Sequence, residues 1–139
     1  MRLFAPQVIL FVADAGRAAR FYAALGFRET FRFPDAGPVK VELSLDGFGL
    51  GLAQPGPAAE AHGINPVTEG HRACLTLWTD DVAAAYRLAL DAGAKEHSSP
   101  HPFLDGALRV AFVEDLDGHP IQFVEQMGVP EPAGESTQQ

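Results

Sequence analysis

Two stretches of the chain carry the same pattern of apolar and polar positions. Residues 11–27, FVADAGRAARFYAALGF, and 78–94, WTDDVAAAYRLALDAGA, align with Asp14 on Asp81, Arg20 on Arg87 and Gly26 on Gly93, a constant offset of 67. Ala18, Phe21, Tyr22 and Leu25 fall at i, i+3, i+4 and i+7, as do Ala85, Leu88, Ala89 and Ala92, so each stretch predicts a helix with one apolar stripe. Asp14 and Asp81 can accept from free N–H groups of the first turn, and Gly26 and Gly93 can take the left-handed conformation that ends a helix. Before each helix stands an apolar or β-branched run, QVILFV from Gln7 and ACLTLW from Ala73, which predicts a strand. Further strands are predicted in RETFRF, VKVELSL and FGLGLAQ, then in ALRVAFVE and PIQFVEQ, with a weaker one near residues 95–99.

A second match ties the ends of the halves together: LDGFGLGLA from Leu45 parallels LDGHPIQFV from Leu116, at an offset of 71. The second half therefore carries about four extra residues, placed around the Pro- and His-bearing stretch 98–105. The expected fold is α+β, two tandem β-α-β-β-β modules forming curved mixed sheets around a cavity with helices outside. The chain reads as one domain: repeat one at about 5–54, a Pro- and Gly-rich linker at 55–70, repeat two at about 71–126 and a flexible polar tail at 130–139. Length agrees, since 139 residues make about one domain.

Composition narrows the classes of function. Hydrophobic residues are 47% and charged residues 20%, ordinary for a globular protein. No apolar run approaches the ~20 residues that span a bilayer and the N-terminus reads as a strand, so the expectation is no membrane partner and a cytoplasmic location. A single cysteine, Cys74, agrees with a reducing compartment. A formal net charge of −8 argues against nucleic acid, whose phosphates need clustered Lys and Arg.

With FVADAGRAARFYAALGF as the first strand–helix unit and EDLDGHPIQF as the last hairpin, residues 5–126 resemble the vicinal oxygen chelate superfamily, which contains glyoxalase I, extradiol dioxygenases and the bleomycin-resistance proteins. The resemblance implies a homodimer with cavities shared between protomers. It also implies four strand positions that hold a metal in metal-dependent members, and these map here to Gln7, Gly51, Cys74 and Gln122. The internal offsets support that mapping, because Gln7 and Cys74 differ by 67, and Gly51 and Gln122 by 71. Two neutral amides, a glycine and a lone thiol make a poor divalent site, so no metal and no cofactor is expected.

Strand alternation then gives the rest of the candidate surface. With Gln7 go Ile9 and Phe11; with Cys74 go Arg72, Thr76 and Trp78; with Gly51 go Gly49 and Ala53; with Gln122 goes Val124. Val8, Leu10, Val12, Leu75 and Leu77 fall on the opposite face, and with Phe21 and Leu88 are expected beneath the helices. The small residues of the fourth strand are expected to leave room for a ligand. Phe31, Phe33 and Phe103 are candidates for the rim. His71 is expected on the face opposite Cys74, His101 in a loop, and Glu114 and Asp115 in a solvated turn. No phosphate loop or nucleophile elbow is present. These readings favour a small-molecule ligand, an antibiotic or aromatic metabolite, held by sequestration as in bleomycin-resistance proteins; the alternative is a lyase, isomerase or dioxygenase of the same superfamily with a divergent metal or metal-free site.

Overall fold

A computed structural model describes residues 1–128; the expected tail at 130–139 lies outside them. The first repeat runs β1 (Gln7–Phe11), α1 (Ala15–Ala24), β2 (Arg28–Phe33), β3 (Lys40–Leu45) and β4 (Phe48–Ala53). A connecting helix α2 (Pro55–His62) follows, and then β5 (Leu75–Trp78), α3 (Val82–Asp91), β6 (Lys95–Phe103), β7 (Leu108–Glu114) and β8 (Pro120–Gln126). Each repeat builds its own four-stranded mixed sheet, ordered β1-β4-β3-β2 and β5-β8-β7-β6, with the first and last strands of the repeat parallel. The duplication reaches the register: Ile9 lies beside Gly51 as Thr76 lies beside Gln122.

The helices start and stop where the sequence places them. Asp14 accepts from the Arg17 N–H at 3.0 Å and Asp81 from the Ala84 N–H at 3.0 Å. Gly26 and Gly93 follow the ends at φ of 110° and 112°, values that a side chain would strain. A side chain just after β4 and another near the end of β8 cap the helices in the same way. Gln54 Oε1 accepts from the Ala15 N–H and Glu125 Oε1 from the Val82 N–H, each the first residue of its helix.

One hydrophobic core joins both halves, with Tyr22, Leu43, Leu50 and Leu52 from the first and Val82, Val113 and Ile121 from the second. Phe21 is buried as expected, and Leu10, Leu75 and Leu77 are partly buried against this core. Val8 and Leu88 are not beneath the helices, with relative exposures of 48% and 47%. Helix α1 packs over β2, β3 and β4 and leaves the start of the edge strand β1 uncovered. On α3 the buried stripe is Val82, Tyr86 and Ala89, so Leu88 is turned to the flank.

Two further expectations change. The linker 55–70 contains α2, because Pro55 at the first helical position needs no N–H partner and fixes a helical φ. The inserted stretch is the long strand β6, so His101 sits on a strand. Pro100 and Pro102 are tolerated there because β6 is the sheet's edge, and its pairing with β7 shifts between Glu96 and Ser98 and again before His101. No helix among the described residues is long and apolar enough to cross a membrane.

Candidate functional site

The first sheet exposes an apolar face over a bare strand. Register places Ile9, Gly51, Glu42 and Phe31 in one row and Phe11, Ala53, Lys40 and Phe33 in the next. Phe31 and Phe33 are 48% and 63% exposed on one edge strand, and Ile9 is exposed on the opposite edge strand, with β4 and β3 between them. Lys40 Nζ and Glu42 Oε2, 3.2 Å apart, put an ion pair between the aromatic edge and β4. The expected room at Gly49 and Gly51 is not empty. A Cβ at Gly51 would lie 2.9 Å from Ile9 Cγ1 and 3.2 Å from Gln7 Oε1, and one at Gly49 would lie 3.3 Å from the Pro6 carbonyl oxygen. The glycines let the side chains of β1 lie across β4, and that occupies the space.

On the second sheet, Thr76 Oγ1 donates to Gln122 Oε1 at 3.1 Å. Trp78 is 45% exposed and, with Thr76, lines a cleft of about 530 Å³ against Leu45, Asp46 and Phe48 of the first repeat. Its row neighbour Val124 is closed off, packed with Leu108 and Val110 in a small second cluster. Arg72 and Cys74 precede β5, whose pairing begins at Leu75, so strand alternation does not place them. Arg72 instead joins Ile9, Phe11, His119 and residues 64–70 around a cleft of about 410 Å³. Cys74 lines a third cleft, of about 330 Å³, with Val8, Leu10 and Phe48. Burial raises its thiol pKa against the opposing contacts of the Thr76 hydroxyl and the Gln122 backbone.

The four positions that would hold a metal thus form two pairs, Gln7 over Gly51 and Cys74 near Gln122, and none of these clefts is lined by members of both. Their chemistry does not fit a divalent ion. Gln122 Oε1 already accepts from Thr76, Gly51 brings no donor, and the thiol is held away from the thiolate that metals bind.

Two polar clusters escaped the reading of the sequence. Asp115 is not in a solvated turn but 4% exposed, and it accepts from Tyr22 Oη, from His119 Nδ1 and from the backbone N–H groups of Asp117 and His119. Burial would raise its pKa, yet the hydrogen bonds from His119 and Tyr22 hold it below the ordinary carboxylate value. Burial would lower the pKa of His119, and Asp115 outweighs that and holds it high. The ring of His119 opens on the cleft that Arg72 lines. Tyr22 lies on α1, so this contact crosses between repeats, as does the bond from the Ala13 N–H to Asp117 Oδ1 at 2.9 Å.

The other cluster gathers His71, His97 and Glu114. His71 Nε2 donates to Glu114 Oε2 at 2.9 Å, and His97 Nδ1 lies 3.6 Å from the same oxygen. Glu114 stands two residues along β7 from Phe112, the partner of Gln122, so the cluster belongs to the face that carries Gln122 and Thr76. His71 reaches it because residues 71–74 are not strand and its side is not fixed by alternation. The alternation of Phe112 with Glu114 on β7 was the available signal.

Comparison with known proteins agrees with this architecture. The family model described as Glyoxalase/Bleomycin resistance protein/Dioxygenase superfamily matches residues 5–123. A glyoxalase/bleomycin resistance protein/dioxygenase family enzyme from Burkholderia phytofirmans superposes with a TM-score of 0.78 at 20% identity, covering 88% of this chain and 98% of the other. TioX from Micromonospora sp. ML1 gives 0.69 at 24%, covering 87% and 97%. Lactoylglutathione lyase from Agrobacterium tumefaciens gives 0.67 at 20%, covering 86% and 90%. No protein of curated function matches the sequence. The fold, the paired registers and the family match over most of the chain lead to one statement: the chain belongs to the Glyoxalase/Bleomycin resistance protein/Dioxygenase superfamily.

Proposed function

We propose that this protein binds and sequesters a planar, partly apolar small molecule, an antibiotic or an aromatic metabolite, without a metal at Gln7, Gly51, Cys74 and Gln122. The observation that carries the reading is the set of exposed apolar side chains on one face of the first sheet, Phe31 and Phe33 on one edge strand and Ile9 on the other. Exposed apolar surface on one face of a sheet is costly to leave in water and marks a place that something covers. Flat aromatic side chains suit a planar ligand, and the amides of Gln7 and Gln122 with Arg72 and Cys74 supply polar orientation. Ile9, Phe11, Gly49, Gly51, Thr76 and Trp78 complete the proposed surface. A homodimer would bring the face of one protomer's first sheet against the second sheet of its partner and so close the cavity.

The experiment is a fluorescence titration of the protein with planar cationic and neutral natural products, read at Trp78, the only tryptophan. Quenching with one site per chain is expected, and Trp78→Ala should weaken binding, followed by calorimetry, by about 1–3 kcal/mol. Because Trp78 is half exposed, that variant should melt near the wild type; a lower melting temperature with unchanged affinity would refute its role. A second reading, an enzyme of the same superfamily, is favoured by His119, whose imidazole Asp115 orients, and Arg72 lining one cleft.

A further inference from the structure

We propose that His71, His97 and Glu114 form a binding site for a borderline divalent transition ion, of which Zn²⁺ is the probe, separate from the strand positions Gln7, Gly51, Cys74 and Gln122. The three residues come from three elements: the segment before β5, the edge strand β6 and the central strand β7. As they stand they do not enclose a coordination position. Glu114 Oε2 takes the point between the two imidazoles, accepting from His71 at 2.9 Å with His97 Nδ1 at 3.6 Å.

The spacing of the two imidazoles is what an ion would need. Bonds of about 2.0–2.1 Å in a tetrahedral shell put donor atoms roughly 3.3 Å apart and the centroids of two bound imidazoles roughly 5–6 Å apart. The rings of His71 and His97 are 5.8 Å apart at 79°. Binding would withdraw Glu114 Oε2 from the point between the rings and draw the exposed His71 and His97 side chains in to bonding distance. The ring of Phe112 stands beside His97, centroid to centroid 6.3 Å. Among the described residues no Lys or Arg lies within 4.0 Å of the Glu114 carboxylate to compete for its charge.

The donor set selects the ion. Two imidazole nitrogens and one carboxylate oxygen suit Zn²⁺, Ni²⁺, Cu²⁺ or Fe²⁺, whereas Mg²⁺ and Ca²⁺ need oxygen ligands. One carboxylate leaves a bound divalent ion with net positive charge, which the chain's formal charge of −8 favours. Three protein ligands leave a position open to water or to a ligand group, and the site lies one row from Gln122.

The test is calorimetric titration of untagged, chelator-treated protein with Zn²⁺, supported by the visible absorption of bound Co²⁺. One ion per chain is expected. His71→Ala, His97→Ala and Glu114→Gln should each lower affinity about tenfold or more, and Mg²⁺ should not compete. His62→Ala, on α2, should bind as the wild type does. The three replaced side chains are on the surface or beside it, and circular dichroism checks that each variant is folded. No stoichiometric Zn²⁺ binding by the wild type would overturn the proposal, as would affinity unchanged in any of the three variants or lost equally in His62→Ala. None of these outcomes bears on the Trp78 titration, which tests the ligand surface alone.

Discussion

The bond between Tyr22 and Asp115 makes a sharp test of how the repeats are joined. Tyr22→Phe removes one hydroxyl and leaves the ring in place, with Phe21 and Phe27 still edge-on at centroid distances of 4.9 and 5.5 Å. No cavity is made, so the loss is that of one hydrogen bond to a buried charged acceptor, about 1.5–3 kcal/mol. Asp115→Asn keeps the shape and can keep an oxygen on the backbone N–H groups of Asp117 and His119, but it turns its NH2 toward the donors Tyr22 Oη and His119 Nδ1 and removes the charge that pairs His119; about 2–4 kcal/mol is expected. The double variant should cost about 1–2 kcal/mol less than the sum, because each single change already breaks the shared bond. Urea denaturation followed by far-UV circular dichroism gives the four free energies, and a domain of this size should lose roughly 3–5 °C of Tm per kcal/mol. Additivity within about 0.5 kcal/mol, or a Tyr22→Phe variant as stable as the wild type, would refute the reasoning.

The same site sets a pH dependence. The raised pKa of His119 makes its contribution complete below the ordinary imidazole value of about 6.5 and lost as pH rises through the higher folded value; the lowered pKa of Asp115 makes its contribution complete above about 3.9 and lost as pH falls through the lower one. The Tm advantage of wild type over His119→Gln should therefore be greatest between about pH 4 and 6.5 and shrink toward pH 8.5 in scanning calorimetry; an advantage that grows with pH would contradict this. Gly51→Ala should destabilise by about 1 kcal/mol, read from urea midpoints, because its Cβ must displace Ile9, whereas Gly56→Ala, which meets no neighbour within 4 Å, should cost nothing measurable.

The parts of the fold that could be read from sequence are those where local chemistry and periodicity agree. Asp14, Asp81, Gly26 and Gly93 mark helix ends by their own backbone preferences, and the two offsets carry the strand partners across with them. Helix α2 and the length of β6 were hidden by prolines, whose meaning depends on position. Pro55 and Pro57 sit in the first turn of a helix, where the N–H groups have no partner within the helix and a proline beyond that turn would break one, and Pro100 and Pro102 sit on an edge that only the sheet order reveals. Alternation placed Gln7, Ile9, Thr76 and Gln122 on their rows but does not reach Arg72 and Cys74, since β5 begins at Leu75 and is shorter than its apolar run. The His71–Glu114–His97 cluster depends on side chains separated by up to 43 positions, and pattern along the chain does not report that. The space over Gly51 was misjudged for a related reason, because a gap on one strand is filled from its neighbour.

That filling has a consequence for how such a surface changes over generations. The relief of the first sheet is drawn by Gln7 and Ile9 lying flat over a strand that contributes only backbone there. Substituting either one would recontour the floor while every hydrogen bond between β1 and β4 stays made, because those bonds use no side chain. A protein built this way can change the contour of that face by single replacements at low cost in stability, with the glycine beneath acting as a blank on which a new shape is written.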